Sequence, residues 1–317
     1  MTELTRSLIA VGVINNAQGD ILLSRRPEGG LWEFPGGHCQ PQESVAQALR
    51  RELAEEVDIR VKQARPLIRI HHHYPQKAVL LDVWQVETWY GQAWGREQQT
   101  VQWCTPTQLT QYPLLAANYS IVTAIRLPSY YLITPDPSEE PKFFYQLEHV
   151  LERGMRLLQL RAQHLNERDY SHCAEQVLKL CAPYAATLLV NATPEIALSV
   201  GAHGVHLSSA RLNALSERPL AASLWVAASA HTLADIHQVN QLNLDFMVLS
   251  PLRVTRSHPQ AAPLGWFNFF ELTEQASVPV FALGGLKPQD LHAAWAHGAQ
   301  GIAAIRGFWH HTDSLIS

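Results

Sequence analysis

The sequence predicts a two-domain α/β chain, with a mixed sheet and packed helices first and a (β/α)8 barrel second. Three observations carry this. The length, 317 residues, exceeds the ~100–200 of one ordinary domain. The apolar patterning changes near Leu127-Pro128-Ser129. The charges change there too: residues 1–128 hold 12 basic and 12 acidic side chains, residues 129–317 hold 12 and 16, and the second stretch carries the whole net charge of −4.

In the first stretch, strand-like runs at Leu8–Ile14, Ile21–Leu23, Val79–Val86 and Thr100–Trp103 surround one clear helical segment. In the second, short apolar runs alternate with helical ones. The strands are expected at Tyr131–Thr134, Leu157–Leu160, Leu188–Val190, Gly204–Leu207, Trp225–Ala228, Phe246–Leu249, Val278–Leu283 and Gly301–Ile305. Helices fit between them at 142–153, 167–180, 194–201, 232–242, 265–276 and 288–297. Eight strands favour a closed barrel over an open doubly wound sheet. The barrel would be lean, below the ~250 residues typical. The expected domains are therefore 1–128 and 129–317.

Composition narrows the function classes. Apolar residues make up 47 %, enough for two cores and too many for a disordered chain. A net charge of −4 argues against direct nucleic-acid binding. No apolar run approaches the ~20 residues of a membrane span. The start, MTELTRSLIAVGVI, lacks the features of a secretory signal. Cys39, Cys104, Cys173 and Cys181 have no CxxC spacing and read as reduced thiols. The expected location is cytoplasmic.

The richest chemistry lies between Gly36 and Ile59. Gly36-Gly37 suits a tight turn with positive φ. Ser44 suits an N-cap for a helix running to about Val57, with Val45, Ala48, Leu49, Leu53 and Val57 on its buried face. Glu52, Glu55 and Glu56 stand at i, i+3 and i+4, so their carboxylates share a face. Such a cluster needs a cation to offset its repulsion, and hard oxygen ligands select Mg²⁺ or Mn²⁺. By itself an acidic run is also what a solvated helix face looks like.

The segment resembles the Nudix box, G-x5-E-x7-R-E-U-x-E-E-x-G-U, with U a bulky aliphatic. Gly37, Glu43, Arg51, Glu52, Leu53, Glu55, Glu56 and Ile59 fall on its positions. Asp58 stands where the family has glycine, a left-handed helix C-terminus that Asp tolerates better than most residues. The resemblance implies an α/β/α sandwich and hydrolysis of a nucleoside diphosphate linked to a further group. It makes Arg51, Glu52, Glu55 and Glu56 the catalytic set, with Arg51 orienting the glutamates. The metal ligands would be Glu52, Glu55, Glu56 and the Gly36 carbonyl.

Residues 4–128 are similar to the MutT-like branch, which acts on 8-oxo-dGTP. The similarity rests on AVGVI, LLSRR, WEFPGG, WGREQQ and Ala117-Asn118. It implies a further metal-binding glutamate at Glu97 and nucleotide contacts at Arg26, Phe34, Lys77 and Asn118. A side-chain amide both donates and accepts, as reading the oxidised guanine edge requires. Alone, Asn118 also reads as a helix cap and Arg26 as a surface ion-pair residue. At Pro75-Gln76-Lys77 the sequence departs from the branch's aspartate and arginine; Lys77 keeps charge but no planar surface. His71-His72-His73 alternate faces if on a strand, so they are expected at the surface and not on one ion.

The second stretch resembles thiamine-phosphate synthase and its TenI-like relatives. Tyr131–Thr134, Leu158-Gln159-Leu160-Arg161, Gly204-Val205-His206-Leu207, Ser229-Ala230-His231 and Ala282-Leu283-Gly284-Gly285 carry the likeness. These positions fall at strand C-terminal ends, where barrel sites lie. The implied site comprises Gln159, Arg161, Asn191, His206, Ser229, His231, Gly284 and Gly285, with bare backbone N–H groups at the glycines for a phosphate. The chain departs from the family where metal and pyrophosphate would bind. Gln163 replaces a lysine, Ala192 and Arg211 replace carboxylates, and Thr255-Arg256-Ser257-His258 replaces a lysine-bearing motif. These departures argue against synthase activity. Three readings stand for this half: binding of thiamine-related phosphates, TenI-like thiazole tautomerisation with His231 moving protons, or a structural or ligand-sensing module. For the whole chain, the alternative to nucleotide-pool sanitation is a bifunctional enzyme whose Nudix half acts on thiamine diphosphate analogues. His206 and His231 read equally as hydrogen-bonded barrel-end residues.

Overall fold

A computed structural model describes residues 7–25, 30–74, 77–96, 99–255, 261–310 and 313–314. The chain divides into two compact units, Met1–Arg126 and Leu127–Ser317.

The first unit contains β1 (Ser7–Ile14), β2 (Ile21–Arg25), β3 (Trp32–Glu33), β4 (Gly36–His38), α1 (Val45–Val57), β5 (Arg60–Tyr74), β6 (Lys77–Tyr90), β7 (Thr100–Cys104) and α2 (Tyr119–Arg126). One sheet runs β4-β1-β6-β5 and a smaller one β3-β2-β7. β1 lies parallel to β6 and antiparallel to β4, which makes the first sheet mixed. Alternation along β1 separates two cores. Ala10 and Ile14 pack with Ala48, Leu49, Leu53 and Val57 of α1. Val11 and Val13 pack with Ile121, Val122 and Ala124 of α2. The sheet is thus covered by a helix on each face.

Sequence pattern missed β5 as a full strand, because its polar residues hide the period over most of its length. His71 pairs with Leu80 and His72 with Val79 in the long β5–β6 ladder. The surface expectation fails for His71, since both its ring nitrogens are shielded from solvent.

The second unit contains β8 (Tyr130–Ile133), α3 (Phe143–Glu152), β9 (Leu157–Leu160), α4 (Glu167–Cys181), β10 (Thr187–Val190), α5 (Pro194–Ser199), β11 (Gly204–Leu207) and α6 (Ser209–Asn213). It continues with β12 (Trp225–Ala230), α7 (Leu233–Gln241), β13 (Phe246–Leu249), α8 (Gly265–Thr273), β14 (Val280–Leu283), α9 (Leu291–Ala296), β15 (Gly301–Ala304) and α10 (Arg306–Trp309). The eight strands close into a parallel barrel, β15 returning to β8. Its interior is filled by Tyr131, Ile133, Leu157, Leu189, Phe246, Val248 and Phe281. Tyr131 meets Phe246 edge to face at 5.4 Å. This is a packed core, not a pore. A second core lies between strands and outer helices, with Leu147, Val177, Ile236 and Phe269. The short helices α6 and α10 were not expected; five and four residues give too little periodicity to read.

Candidate functional site

In the first unit the site is built on α1. Ser44 caps it with a reciprocal box to Gln47, and Asp58 ends it in the left-handed region at φ 56°, ψ 30°. The expected Gly36-Gly37 turn is instead the short strand β4, although Gly36 takes the positive φ expected, at 152°. The glycines are needed for room. A Cβ on Gly36 would collide with the Ala10 carbonyl oxygen, and one on Gly37 with the Glu52 carboxylate. The loop before α1 does the turning, with Gln42 at φ 68°.

Arg51 organises the carboxylates. Its Nε and Nη2 donate to Glu43 at 3.0 and 2.7 Å, and Nη1 donates to Glu52 at 2.6 Å and Glu55 at 3.3 Å. Nη2 also donates to the His38 carbonyl at 3.0 Å. Hydrogen bonds to Glu43 and Glu52 push the Arg51 pKa up, and the same bond to Arg51 holds Glu43 below its usual range. Glu56 differs. Its two oxygens accept from the Gly36 N–H at 2.8 Å and the Gln99 amide at 2.9 Å. Burial raises its pKa, and the charges of Glu33 and Glu52 add to the rise.

A half-buried carboxylate held by neutral donors beside two more acidic groups suits a hard divalent cation. Each oxygen of an ionised carboxylate retains lone-pair capacity beyond the bond it accepts. The fit is incomplete among the described residues, where no three His, Cys, Asp or Glu side chains converge as a metal cluster. The expected convergence of Glu52, Glu55 and Glu56 is corrected to that extent. Arg51 draws Glu52 and Glu55 toward itself, and the Glu55 side chain is 60 % exposed. Glu97 and Arg26 lie outside the described residues, as does the Lys77 side chain.

Phe34 is 3 % exposed, and its ring packs in the core with Ala117. Asn118 is 4 % exposed, and its amide nitrogen is buried without a hydrogen-bond partner. It ends a short turn joined to β3 through Leu115 N–H donating to the Trp32 carbonyl at 3.2 Å.

Sequence reasoning missed the cluster that ties the following loop to α1. Asp58 accepts from Arg96 at 2.6 Å and from the Trp94 indole at 3.1 Å. The Arg96 N–H donates to the Glu56 carbonyl at 2.9 Å. The same segment leads to Gln99 on Glu56. The signal was present as the one departure from the box, Asp58.

In the second unit a cavity of about 390 Å³ opens beyond the strand C-termini. Gln159, Arg161, Asn191, Ser229, His231, Gly284 and Gly285 all line it. His206 does not, which corrects its place among the barrel-site residues. It is buried below, its Nδ1 3.0 Å from the Tyr131 hydroxyl and its Nε2 2.9 Å from Ser229 Oγ. Burial pushes its pKa down to about 3, so the ring is neutral. His231 Nδ1 lies 2.9 Å from the Ser250 carbonyl oxygen, which requires Nδ1 to carry the proton. In the neutral ring Nε2 is then the basic nitrogen. Gly284, at φ 127°, would place a Cβ 2.6 Å from the Leu252 nitrogen, so the glycine turn packs directly on the loop after β13. Arg306, which sequence reasoning also missed, joins the lining.

Comparison with known proteins matches both units. A NUDIX domain model matches residues 10–124, and the thiamine monophosphate synthase (TMP-TENI) model matches residues 130–308. The CTP pyrophosphohydrolase of Escherichia coli (strain K12) is 36 % identical over 118 residues, covering 36 % of this chain and 87 % of that protein. The 8-oxo-dGTP diphosphatase of the same organism is 32 % identical over 122 residues, 37 % of this chain and 95 % of that protein. A protein of Aquifex aeolicus (strain VF5), provisionally named thiamine-phosphate synthase 2, is 35 % identical over 184 residues, 58 % of this chain and 99 % of its own length. The chain spans about half the length of the thiamine-phosphate synthases of Synechococcus sp. (strain CC9605) and Prochlorococcus marinus that it also matches. These matches define a fusion of two phosphate-handling folds. The chain belongs to the Nudix family through its first unit and to the TMP-TENI family through its second. The sequence-based argument against synthase activity finds no support in these relatives.

Among the described residues no helix is long and apolar enough to cross a membrane.

Proposed function

We propose that residues 1–128 form a Mg²⁺-dependent pyrophosphohydrolase that converts 8-oxo-dGTP to 8-oxo-dGMP and pyrophosphate. The observation that carries this is the Arg51-centred carboxylate array beside the half-buried Glu56. Glu52, Glu55 and Glu56, with Glu97, are the groups to hold the ion, and Mn²⁺ is the alternative. When bound, the ion offsets triphosphate charge and lowers the pKa of water for attack at phosphorus. The chain's own contribution is orientation. Arg51 holds Glu52 and Glu55, Gly37 gives the Glu52 carboxylate space, and the unpartnered Asn118 amide offers a donor to the base. Arg26, Phe34 and Lys77 complete the nucleotide contacts on this reading. Similarity to the CTP pyrophosphohydrolase supports a second reading with CTP as substrate. Turnover of 8-oxo-dGTP, dGTP and CTP by the full chain decides between them. Equal rates on 8-oxo-dGTP and dGTP remove the sanitation role.

For residues 129–317 we propose a site for a phosphate-bearing, thiamine-related ligand in the barrel cavity. The cavity lined by the Gly284-Gly285 turn, Gln159 and Arg161 supports it. Synthase chemistry and His231-mediated tautomerisation both fit that cavity. Complementation of a strain lacking thiamine-phosphate synthase separates them: growth without thiamine supports the synthase. A cytoplasmic location accords with both substrates.

A further inference from the structure

We propose that the barrel cavity holds its ligand's phosphate on guanidinium and backbone N–H groups alone, without a divalent cation. The proposal rests on the reading of this cavity as a phosphate site.

A metal–pyrophosphate site needs carboxylates, and this cavity has none. Among its described lining residues there is no Asp or Glu. Residues 256–260, which follow the lining residue Thr255 and lie outside the described residues, contain none in sequence. Three carboxylates stand on the segments that follow β8, β12 and β14, and each is engaged in holding backbone. Asp136 accepts from Ser138 N–H and hydroxyl at 3.0 and 2.7 Å, and from His164 N–H at 3.3 Å. Asp235 accepts from Ser209 Oγ and Asn213 on one oxygen, and from the His231 and Thr232 N–H groups on the other. Asp290 accepts from Lys287 N–H at 2.9 Å and pairs with Arg253 at 2.8 Å.

The cations present the opposite picture. Arg161 donates to the neutral Gln163 at 2.5 Å, and Arg211 to the neutral Asn191 at 3.2 Å. Arg306 lines the cavity with no ion pair among the described residues. Arg161 and Arg306 line the cavity, Arg211 reaches its lining residue Asn191, and none of the three is paired with a described carboxylate. Bidentate guanidinium contacts serve phosphate well and supply the charge a metal otherwise brings. A second observation points to a ligand in the cavity. The Gln159 side chain is 3 % exposed, lines the cavity, and its Oε1 has no donor among the described residues. An oxygen buried in this way calls for an N–H or O–H, which a bound ligand can supply.

The test is calorimetric titration of the full chain with inorganic pyrophosphate, in EDTA and in Mg²⁺. The expected result is binding in EDTA, weakened about tenfold or more by Arg161→Gln and again by Arg306→Gln, since each removes a charged hydrogen bond to the anion. Arg161→Lys should fall between, keeping charge without the fork. Unchanged thermal midpoints establish that the variants fold, and Arg211→Gln, beside the lining residue Asn191, serves where another does not. Binding that requires Mg²⁺ and is lost in Arg161→Gln overturns the metal-free proposal while leaving the phosphate site standing. Absence of binding sensitive to these arginines in either buffer overturns both.

Discussion

Replacing Asp58 by the glycine that the Nudix pattern carries separates what the backbone needs from what the side chain does. Asp58 sits at φ 56°, where an L-residue costs ~1–2 kcal/mol and Asp somewhat less. Glycine removes that strain but costs ~0.5–1 kcal/mol in unfolded-chain freedom, so the backbone terms nearly cancel. The Arg96 pair is lost, and with side chains 44 % and 39 % exposed it is screened to ~0.2–1 kcal/mol. The Trp94 hydrogen bond at 3.1 Å adds ~0.5–1.5 kcal/mol. Asp58→Gly should therefore lower global stability by only about 1–2 kcal/mol. The larger effect is expected on the loop that delivers Gln99 to Glu56. If about 1 kcal/mol of its ordering is lost, hydrolysis of 8-oxo-dGTP falls about fivefold at limiting Mg²⁺. Saturating Mg²⁺ should recover part of this, because the loop also carries Glu97. Asp58→Asn keeps the left-handed cap and an acceptor for Trp94, and should lie between. The assay is the Mg²⁺ dependence of kcat/KM alongside the urea midpoint. An Asp58→Gly enzyme with wild-type Mg²⁺ dependence refutes the tethering argument, whatever its stability.

Other outcomes follow from single contacts. Gly37→Ala should reduce hydrolysis by tenfold or more at modest stability cost, because its Cβ meets the Glu52 carboxylate; unchanged kcat counts against the placement of Glu52. Asn118→Ala should raise KM for 8-oxo-dGTP more than for dGTP, measured by steady-state kinetics, since it removes a buried unpartnered amide. The His206 pKa is lowered from 6.5 to about 3, so the folded state binds fewer protons than the unfolded one between those values. Its contribution therefore destabilises the fold progressively as pH falls from 6.5 toward 3 and is absent above 6.5. His206→Gln should flatten the denaturant-derived stability profile in that window.

The barrel was legible because its strands are buried on both faces. Phe246–Leu249 reads as a continuous apolar run and Leu157–Leu160 as one broken only by Gln159, and both form strands with those bounds. The helix of the box was legible for another reason: Ser44 and Asp58 mark its ends, and four apolar residues mark its face. β5 was not, because its side chains from Arg60 to Gln63 are mostly polar and its register shifts break the alternation. The site residues divide similarly. Spacing puts Glu52, Glu55 and Glu56 on one face, yet only geometry shows Arg51 taking two of them and Gly36 with Gln99 taking the third. His206 shows the reverse limit. A histidine at a strand end looks catalytic in one dimension, and a 3.0 Å contact with Tyr131 makes it part of the barrel interior.

The two candidate sites solve the same electrostatic problem with opposite signs. In the first, carboxylates outnumber the one arginine seen to join them, and the half-buried Glu56 has only neutral partners among the described residues. A polyanionic substrate approaches such a surface only with cations between. In the second, arginines line or flank a cavity whose neighbouring carboxylates are engaged in the wall. There an added divalent cation is repelled and an anion is attracted without it. Chelation should therefore act as a selective switch on the intact chain. EDTA should abolish nucleotide hydrolysis and leave pyrophosphate binding at the barrel within about twofold of its value in Mg²⁺, a difference of ~0.4 kcal/mol. Parallel loss of both on chelation would mean that the charge around the barrel cavity has been assigned the wrong role.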